Sequence, residues 1–434
     1  MIDMKAAFAD KPTRVLMVVE NRPYASDPRV RNEARTLLER GYRVSVICPA
    51  KGREPFHVTE AGVSIYRFPD PHFRRHVLEY SYALLAMTVL TVVALVNEGF
   101  DIIHMANPPD FVALFAGWKI FGKRIIYDQH DLCPELYVVK FGDNQLTKRV
   151  LLWLEKLAYR LADHVIVTNQ SYKDIALQRG GIPESKLTIV RNGPNLQAPT
   201  SDNIGEELRR KASTIIVYAG AIATQDGVEY LCRALHHLYH TVGQKDFYSV
   251  IIGSGECLQA VKDLALEMQV DEKVSFIGWI SDPGLYASYL ASADICVAPE
   301  PQNDYNNNST FIKILEYMAA GKAVVAFDLA ESRRSAEGAA LYARPNDVHD
   351  FAKKLAILIS NPSLRHSMGE CGRLRVNRQL AWRYSAPELL AAYDKALGSS
   401  LREVPPSVGE GHYLKPDTKA SNESSNAQRV GQRV

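Results

Sequence analysis

The groups best placed to do chemistry are gathered in one short run, Asn308 to Glu316 (NSTFIKILE). Asn308, Ser309 and Thr310 have side chains that accept hydrogen bonds from the free N–H groups of a helix start. From Phe311 the spacing turns helical, with Phe311, Ile314, Leu315, Met318 and Ala319 on one side and Gly321 as the stop. The open N–H groups and positive dipole end of such a helix attract an anion such as a phosphate. Lys313 and Glu316 are three residues apart and share a face. Glu316 lies about 9 Å along the axis from Thr310, which is the reach from a diphosphate to the hydroxyls of a ribose. A carboxylate can accept two hydrogen bonds from such a diol. The same pattern also suits a capped amphipathic helix in any α/β protein, with Lys313 and Glu316 as a solvated pair.

A second group follows the apolar strand Arg124 to Asp128, in YDQHDLCPELY. His130 can hydrogen-bond a sugar hydroxyl or place a carbonyl, with its charge tuned by Asp131. The alternative is a loop histidine that organises the HDLCPE turn. Two familiar chemistries are disfavoured. The loop after the first strand, NRPYASDPRV, has no glycine where a dinucleotide-binding fold carries G-x-G-x-x-G. The six cysteines are scattered, with no C-x-x-C or Cys/His cluster, and read as core residues in a reducing compartment.

These groups need a frame to hold them. A chain of 434 residues is long enough for two domains with separate cores. Apolar strands at Val15–Glu20, Val44–Cys48, Val63–Phe68, Asp101–Met105, Arg124–Asp128, His164–Thr168 and Leu187–Arg191 alternate with helical patterns. The alternation resumes at Ile215–Tyr218, Val250–Ile252, Val274–Ile277, Ile295–Ala298 and Val324–Phe327. It predicts an α/β protein of two Rossmann-like lobes, each with a parallel sheet and right-handed crossovers, whose strand ends face a central cleft. We place the first lobe at 1–197, the second at 198–384, a last helix at 385–400 and a polar, disordered tail at 401–434. The net charge is +2, with a mildly basic first half and no basic run interleaved with aromatics, so nucleic acid is not an expected partner. The polar N-terminus, MIDMKAAFADKPTR, reads as no secretory leader. The most apolar stretch, 77–96, borders on membrane-spanning length. Its place between strands of one domain predicts a buried crossover helix. The alternative is an interfacial surface with the basic, aromatic rim 72–76.

EYMAAGKAVV, after a strand, a polar loop and a helix start, resembles the donor-binding segment of GT4-type glycosyltransferases of the GT-B fold. YDxHDxxPE resembles the first-lobe motif of the branch that includes bacterial O-antigen and exopolysaccharide transferases. The resemblance implies that Glu316 holds the donor ribose and that His130 meets the donor sugar at the reaction centre. Gly220, Asn308, Ser309, Thr310 and Lys313 would complete the donor site. Asp131 and Glu135 become supporting or acceptor-side groups. SDPRVRNEA resembles the branch's first-lobe loop and puts Asp27 and Arg29 toward the acceptor. The chain departs from the family at Asn308, where the first glutamate of E-x7-E usually stands. The loop 218–231 also lacks the usual Arg and Lys, and Lys313 is the candidate replacement cation.

The resemblance implies a retaining transfer from a nucleotide sugar, UDP- or GDP-linked, to a saccharide or lipid-linked acceptor. No cofactor is implied, and the absence of D-x-D agrees with metal-independent chemistry. The expected setting is the cytoplasm, with peripheral inner-membrane contact through 72–96. A nucleotide-sugar 2-epimerase and a non-catalytic sugar- or membrane-binding scaffold remain as alternatives.

Overall fold

Most of the apolar runs form strands buried on both faces, as parallel strands covered by helices require. A computed structural model describes residues 12–69, 76–194, 198–201 and 203–398. The expected tail, the lobe boundary at 197 and the rim residues 72–75 lie outside the described residues.

The first sheet contains β1 (Arg14–Val19), β2 (Arg43–Pro49), β3 (His57–Glu60), β4 (Val63–Phe68), β5 (Ile102–Ala106), β6 (Arg124–Gln129), β7 (His164–Val167) and β8 (Leu187–Ile189). Their order is β3-β4-β2-β1-β5-β6-β7-β8. The sequence pattern misses β3, an antiparallel edge strand with no buried residue and hence no apolar alternation to signal it. The second sheet contains β9 (Ile215–Ala219), β10 (Tyr248–Ile252), β11 (Val274–Gly278), β12 (Ile295–Ala298), β13 (Ala323–Phe327) and β14 (Ala340–Ala343). Its order is β11-β10-β9-β12-β13-β14, with parallel pairings throughout. The two halves form the two-lobed GT-B architecture.

Each sheet has an apolar core on both faces. One core of the first lobe is completed from the far end of the described chain. Leu389, Ala392, Tyr393 and Ala396 of the Trp382–Leu397 helix join a core that includes Ile126 of β6, Ile166 of β7 and Val190 just past β8, and the helix lies along those three strands. The Trp382 indole donates to Thr36 Oγ1 at 2.9 Å and fixes the start of that helix on the first lobe.

The crossover from β4 to β5 is the His76–Asn97 helix. It buries Ala83, Met87, Leu90 and Ala94 against the sheet but exposes Leu85, Val89, Val92 and Val96. The expectation of a buried helix is therefore corrected. The sheet covers one side of an element that is apolar all round, and the described residues leave its outer face exposed.

Candidate active site

Polar residues collect just beyond the C-terminal ends of β5, β6 and β7 in one lobe and of β9, β12 and β13 in the other. Asn107, immediately after β5, pins the His130 loop. Its Oδ1 accepts the backbone N–H groups of His130 at 2.5 Å and Asp131 at 3.1 Å, and its Nδ2 donates to the Asp131 carbonyl at 2.8 Å. The His130 ring is held from below. Nε2 lies 2.5 Å from Asp128 Oδ2 on β6 and 2.9 Å from Arg29 Nε. With the Nε2 proton donated to Asp128, Nδ1 is the nitrogen left for a ligand.

Arg29 does not point to an acceptor. It is buried, bidentate to Asp128 at 2.9 and 2.7 Å, and donates to the Val190 carbonyl and Asn192 Oδ1, both at 2.8 Å. Burial alone would raise the Asp128 pKa. Arg29, followed by the two histidines, outweighs it and holds the carboxyl well below its usual range. His104 approaches Asp128 at 3.3 Å and Tyr393 OH at 2.8 Å, and burial lowers its pKa, which keeps the ring neutral. Glu33, His104 and Asp128 could converge on a cation. The Arg29 guanidinium already lies among them, 3.0 Å from Glu33 Oε1.

Burial, then repulsion from Asp128, pushes the Glu33 carboxyl well above its ordinary value, and neither oxygen has a hydrogen-bond partner among the described residues. The unfolded chain releases this proton above about 4.5 while the folded chain keeps it, so Glu33 subtracts stability as pH rises past that value. Glu33→Gln is expected to unfold like the parent at pH 4 and to be more stable at pH 8. A loss of stability at pH 8 in denaturant unfolding would reject this protonation state.

In the second lobe the helix begins later than the sequence suggests. A short helix, Asp304–Asn308, is capped by Asn303, and a second, Ile312–Ala319, follows with Phe311 at its start and no side-chain cap. Ser309 and Thr310 sit in the break, so they do not cap the second helix as expected. Ser309 Oγ donates to the Tyr305 carbonyl at 2.8 Å. Asn308 Nδ2 donates to the Asp304 carbonyl at 2.7 Å. With no capping side chain at Ile312, the helix start can receive an anion from outside.

Glu316 is half-buried. Its Oε2 accepts from Tyr286 OH at 2.6 Å, and Oε1 has no hydrogen bond among the described residues. Burial raises its pKa against the opposing pull of Tyr286 and Lys313. Lys313 is not a free cation. Its ammonium is 2.5 Å from Glu300, 3.1 Å from Asp226 and 3.0 Å from Tyr218 OH. Burial opposes that charge, but Glu300, Tyr218 and Asp226 prevail and hold Lys313 protonated. Gly220 lies against this amine: a Cβ there would stand 2.8 Å from Lys313 Cε and Nζ. At Gly253, where φ is +144°, a Cβ would reach 1.8 Å from the Gly220 carbonyl oxygen. Only glycine fits at Gly253, whereas a side chain at Gly220 would displace the Lys313 amine.

The two motifs meet across the cleft. Tyr305 OH donates to Asp131 Oδ1 at 2.6 Å, joining residues 174 positions apart. Asn169 donates to the Asn308 carbonyl at 2.9 Å and to Thr310 Oγ1 at 3.0 Å, and Tyr172 OH is 3.0 Å from Ser309 Oγ. Two expected residues serve elsewhere. Asp27 caps the Pro28–Glu39 helix by accepting from the N–H groups of Arg29 and Val30. Glu135 is buried in an ion pair with Arg179, which also holds Glu155.

Sequence reasoning missed Asn107, Asp128, Asn169, Asp226, Tyr286 and Glu300. The available signal is position, since Asn107, Asn169 and Glu300 all lie just past a parallel strand, where ligands collect.

Residues 29–198 match the model of glycosyltransferase family 4, and residues 213–361 match that of the group 1 glycosyl transferases. The chain is a GT4-type glycosyltransferase. Its relatives include an uncharacterized glycosyltransferase of Methanocaldococcus jannaschii, 26% identical over 67% of this chain and 73% of that protein. A phosphatidyl-myo-inositol mannosyltransferase of Mycobacterium leprae is 24% identical over 83% of this chain and 90% of its own. Among solved structures, a sucrose-phosphate synthase from Thermosynechococcus elongatus superposes with a TM-score of 0.74 at 19% identity, covering 89% of this chain and all of that one. An Anabaena protein crystallised with UDP-glucose superposes at 0.67 and 15% identity, covering 88% of this chain and 99% of the other. This glycosyltransferase therefore shares the fold of enzymes with diverse substrates, and its own specificity must be argued from its residues.

Proposed function

We propose that the enzyme moves a sugar from a nucleotide diphosphate to a saccharide or lipid-linked saccharide acceptor in bacterial surface polysaccharide synthesis, with retention and without a metal ion. The observation that carries this reading is the direct junction of the two motifs through Tyr305 and Asp131. The donor diphosphate would lie at the uncapped start of Ile312–Ala319, with the ribose on Glu316 and the sugar toward His130. The helix dipole would stabilise the departing diphosphate. The lipid part of the proposal draws on the M. leprae relative's name, and the UDP-linked donor on the Anabaena complex. A cytoplasmic enzyme working at the inner membrane fits both.

Lys313 would act through Gly220 and the helix start rather than as an isolated cation, since two carboxyls already share its charge. Lys313→Ala is expected to weaken donor binding about tenfold, or about 1.4 kcal/mol, in a calorimetric titration; unchanged affinity would remove Lys313 from the donor site. A thermal-shift screen of UDP- and GDP-sugars tests the whole reading. A bound donor at a hundred times its dissociation constant stabilises by about 2.7 kcal/mol. No shift with any nucleotide sugar would reject the donor site, and an epimer formed from donor alone would identify an epimerase.

A further inference from the structure

The helices over one face of the first sheet form a layer whose outward side is unusually apolar and basic. Four successive turns of the His76–Asn97 helix expose Leu85, Val89, Val92 and Val96, the last 78% exposed. Within Tyr80–Asn97 the mean hydropathy is 1.7, no residue is charged, and 28% of the window is buried. Beside it, Phe111 packs edge-on to Tyr80, and the segment Ala116–Phe121 turns out Ile120 and Phe121, the latter 71% exposed. The helix Gln145–Leu161 comes next in the layer, and its inner residues join the same core.

The outer face of this third element decides the partner. Leu146, Arg149, Val150, Trp153, Lys156 and Arg160 recur at helical spacing and are all exposed, with Trp153 at 61%. The helix has a single acidic residue, Glu155, which is buried on Arg179. Arg149, Lys156 and Arg160 have no ion pair among the described residues. An apolar helix with no charged residue from Tyr80 to Asn97, flanked by a cationic, Trp-bearing one, matches the chemistry of a bilayer interface: apolar side chains enter the acyl boundary while guanidinium and ammonium groups meet anionic headgroups. A protein partner could cover the apolar stripe alone, but the exposed basic residues of the neighbouring helix favour a charged sheet of lipid.

We infer that this first-lobe face, built from His76–Asn97, Ala116–Phe121 and Gln145–Leu161, docks the enzyme on an anionic lipid bilayer. The inference extends the membrane element of the proposed function, and rests on it only for the purpose of docking. Binding is read without donor or acceptor, so its failure and the failure of sugar transfer are separate results.

The test is sedimentation of the full chain with sucrose-loaded vesicles of phosphatidylcholine, with and without phosphatidylglycerol at three parts in ten. The expected result is binding that needs phosphatidylglycerol and weakens as salt rises. Arg149→Gln/Lys156→Gln should weaken it about thirtyfold, on the order of 1 kcal/mol per basic residue. Leu85→Glu/Val89→Glu should abolish it, and both variants should melt like the parent. Equal pelleting with and without phosphatidylglycerol would overturn the inference, as would variants that bind like the parent. A parent dimer in light scattering that Leu85→Glu/Val89→Glu dissolves, with no vesicle binding, would assign the face to a second copy instead.

Discussion

Asp128→Asn is expected to destabilise the enzyme by about 3–5 kcal/mol, the range for removing one partner of a buried ion pair. The substitution keeps the shape and removes the charge. It leaves Arg29, which cannot deprotonate, buried with neutral partners at Val190 and Asn192. The neighbour at 3.0 Å, Glu33, supplies the next part of the prediction. In the parent, burial and then the charge of Asp128 keep its carboxyl protonated. In the variant Glu33 is the remaining counterion, and its folded pKa should fall below the unfolded value. Its stabilising share then appears as pH rises past about 4.5, the reverse of the parent. Denaturant unfolding at pH 4 and pH 8 checks both signs. Asp128→Asn/Glu33→Gln should lose more than the two single changes together. A cost below about 1 kcal/mol at both pH values would show that Arg29 finds solvent, contrary to its burial. Transfer should also fall, because His130 loses the anionic acceptor that orients its ring.

This cluster also marks the limit of what the sequence discloses. The lobes, most strands of both sheets and the Asn308–Glu316 run are legible, because burial imposes a period and parallel strands demand apolar residues. Arg29 and Asp128 are 99 positions apart, and nothing in either local pattern says that they pair. Ser309 and Thr310 look like helix caps because their chemistry is right for one, but neighbours from the first lobe claim them. β14 escapes notice at four residues, two of them only partly buried. The sequence thus shows which residues could act but not always which way their side chains turn.

The second large effect concerns Glu316. Glu316→Ala should lower kcat/KM about a hundredfold, or about 2.7 kcal/mol, in keeping with a charged group that accepts hydrogen bonds worth about 1.5–3 kcal/mol. The loss should appear as weaker donor binding. A nucleotide sugar lacking both ribose hydroxyls separates this from general damage, because parent and variant should bind it equally. Tyr286→Phe removes the one described contact of Oε2 and should have the same sign with a smaller effect, about fivefold. Full activity in Glu316→Ala would dissociate the ribose from this helix and require another donor pose. Stability should change little, since the carboxyl is half-buried and burial already disfavours its charge.

The return of the Trp382–Leu397 helix to the first lobe has a consequence for biosynthesis. The flank of the first sheet at β6, β7 and β8 is covered by Leu389, Ala392 and Tyr393, which leave the ribosome about 200 residues after β8. At roughly 5–20 residues per second, the first half waits some tens of seconds with one flank uncovered. Ribosome-bound nascent chains that stop short of Trp382, with β8 clear of the exit tunnel, should therefore recruit holdase chaperones, and a synthetic 382–398 peptide should displace them.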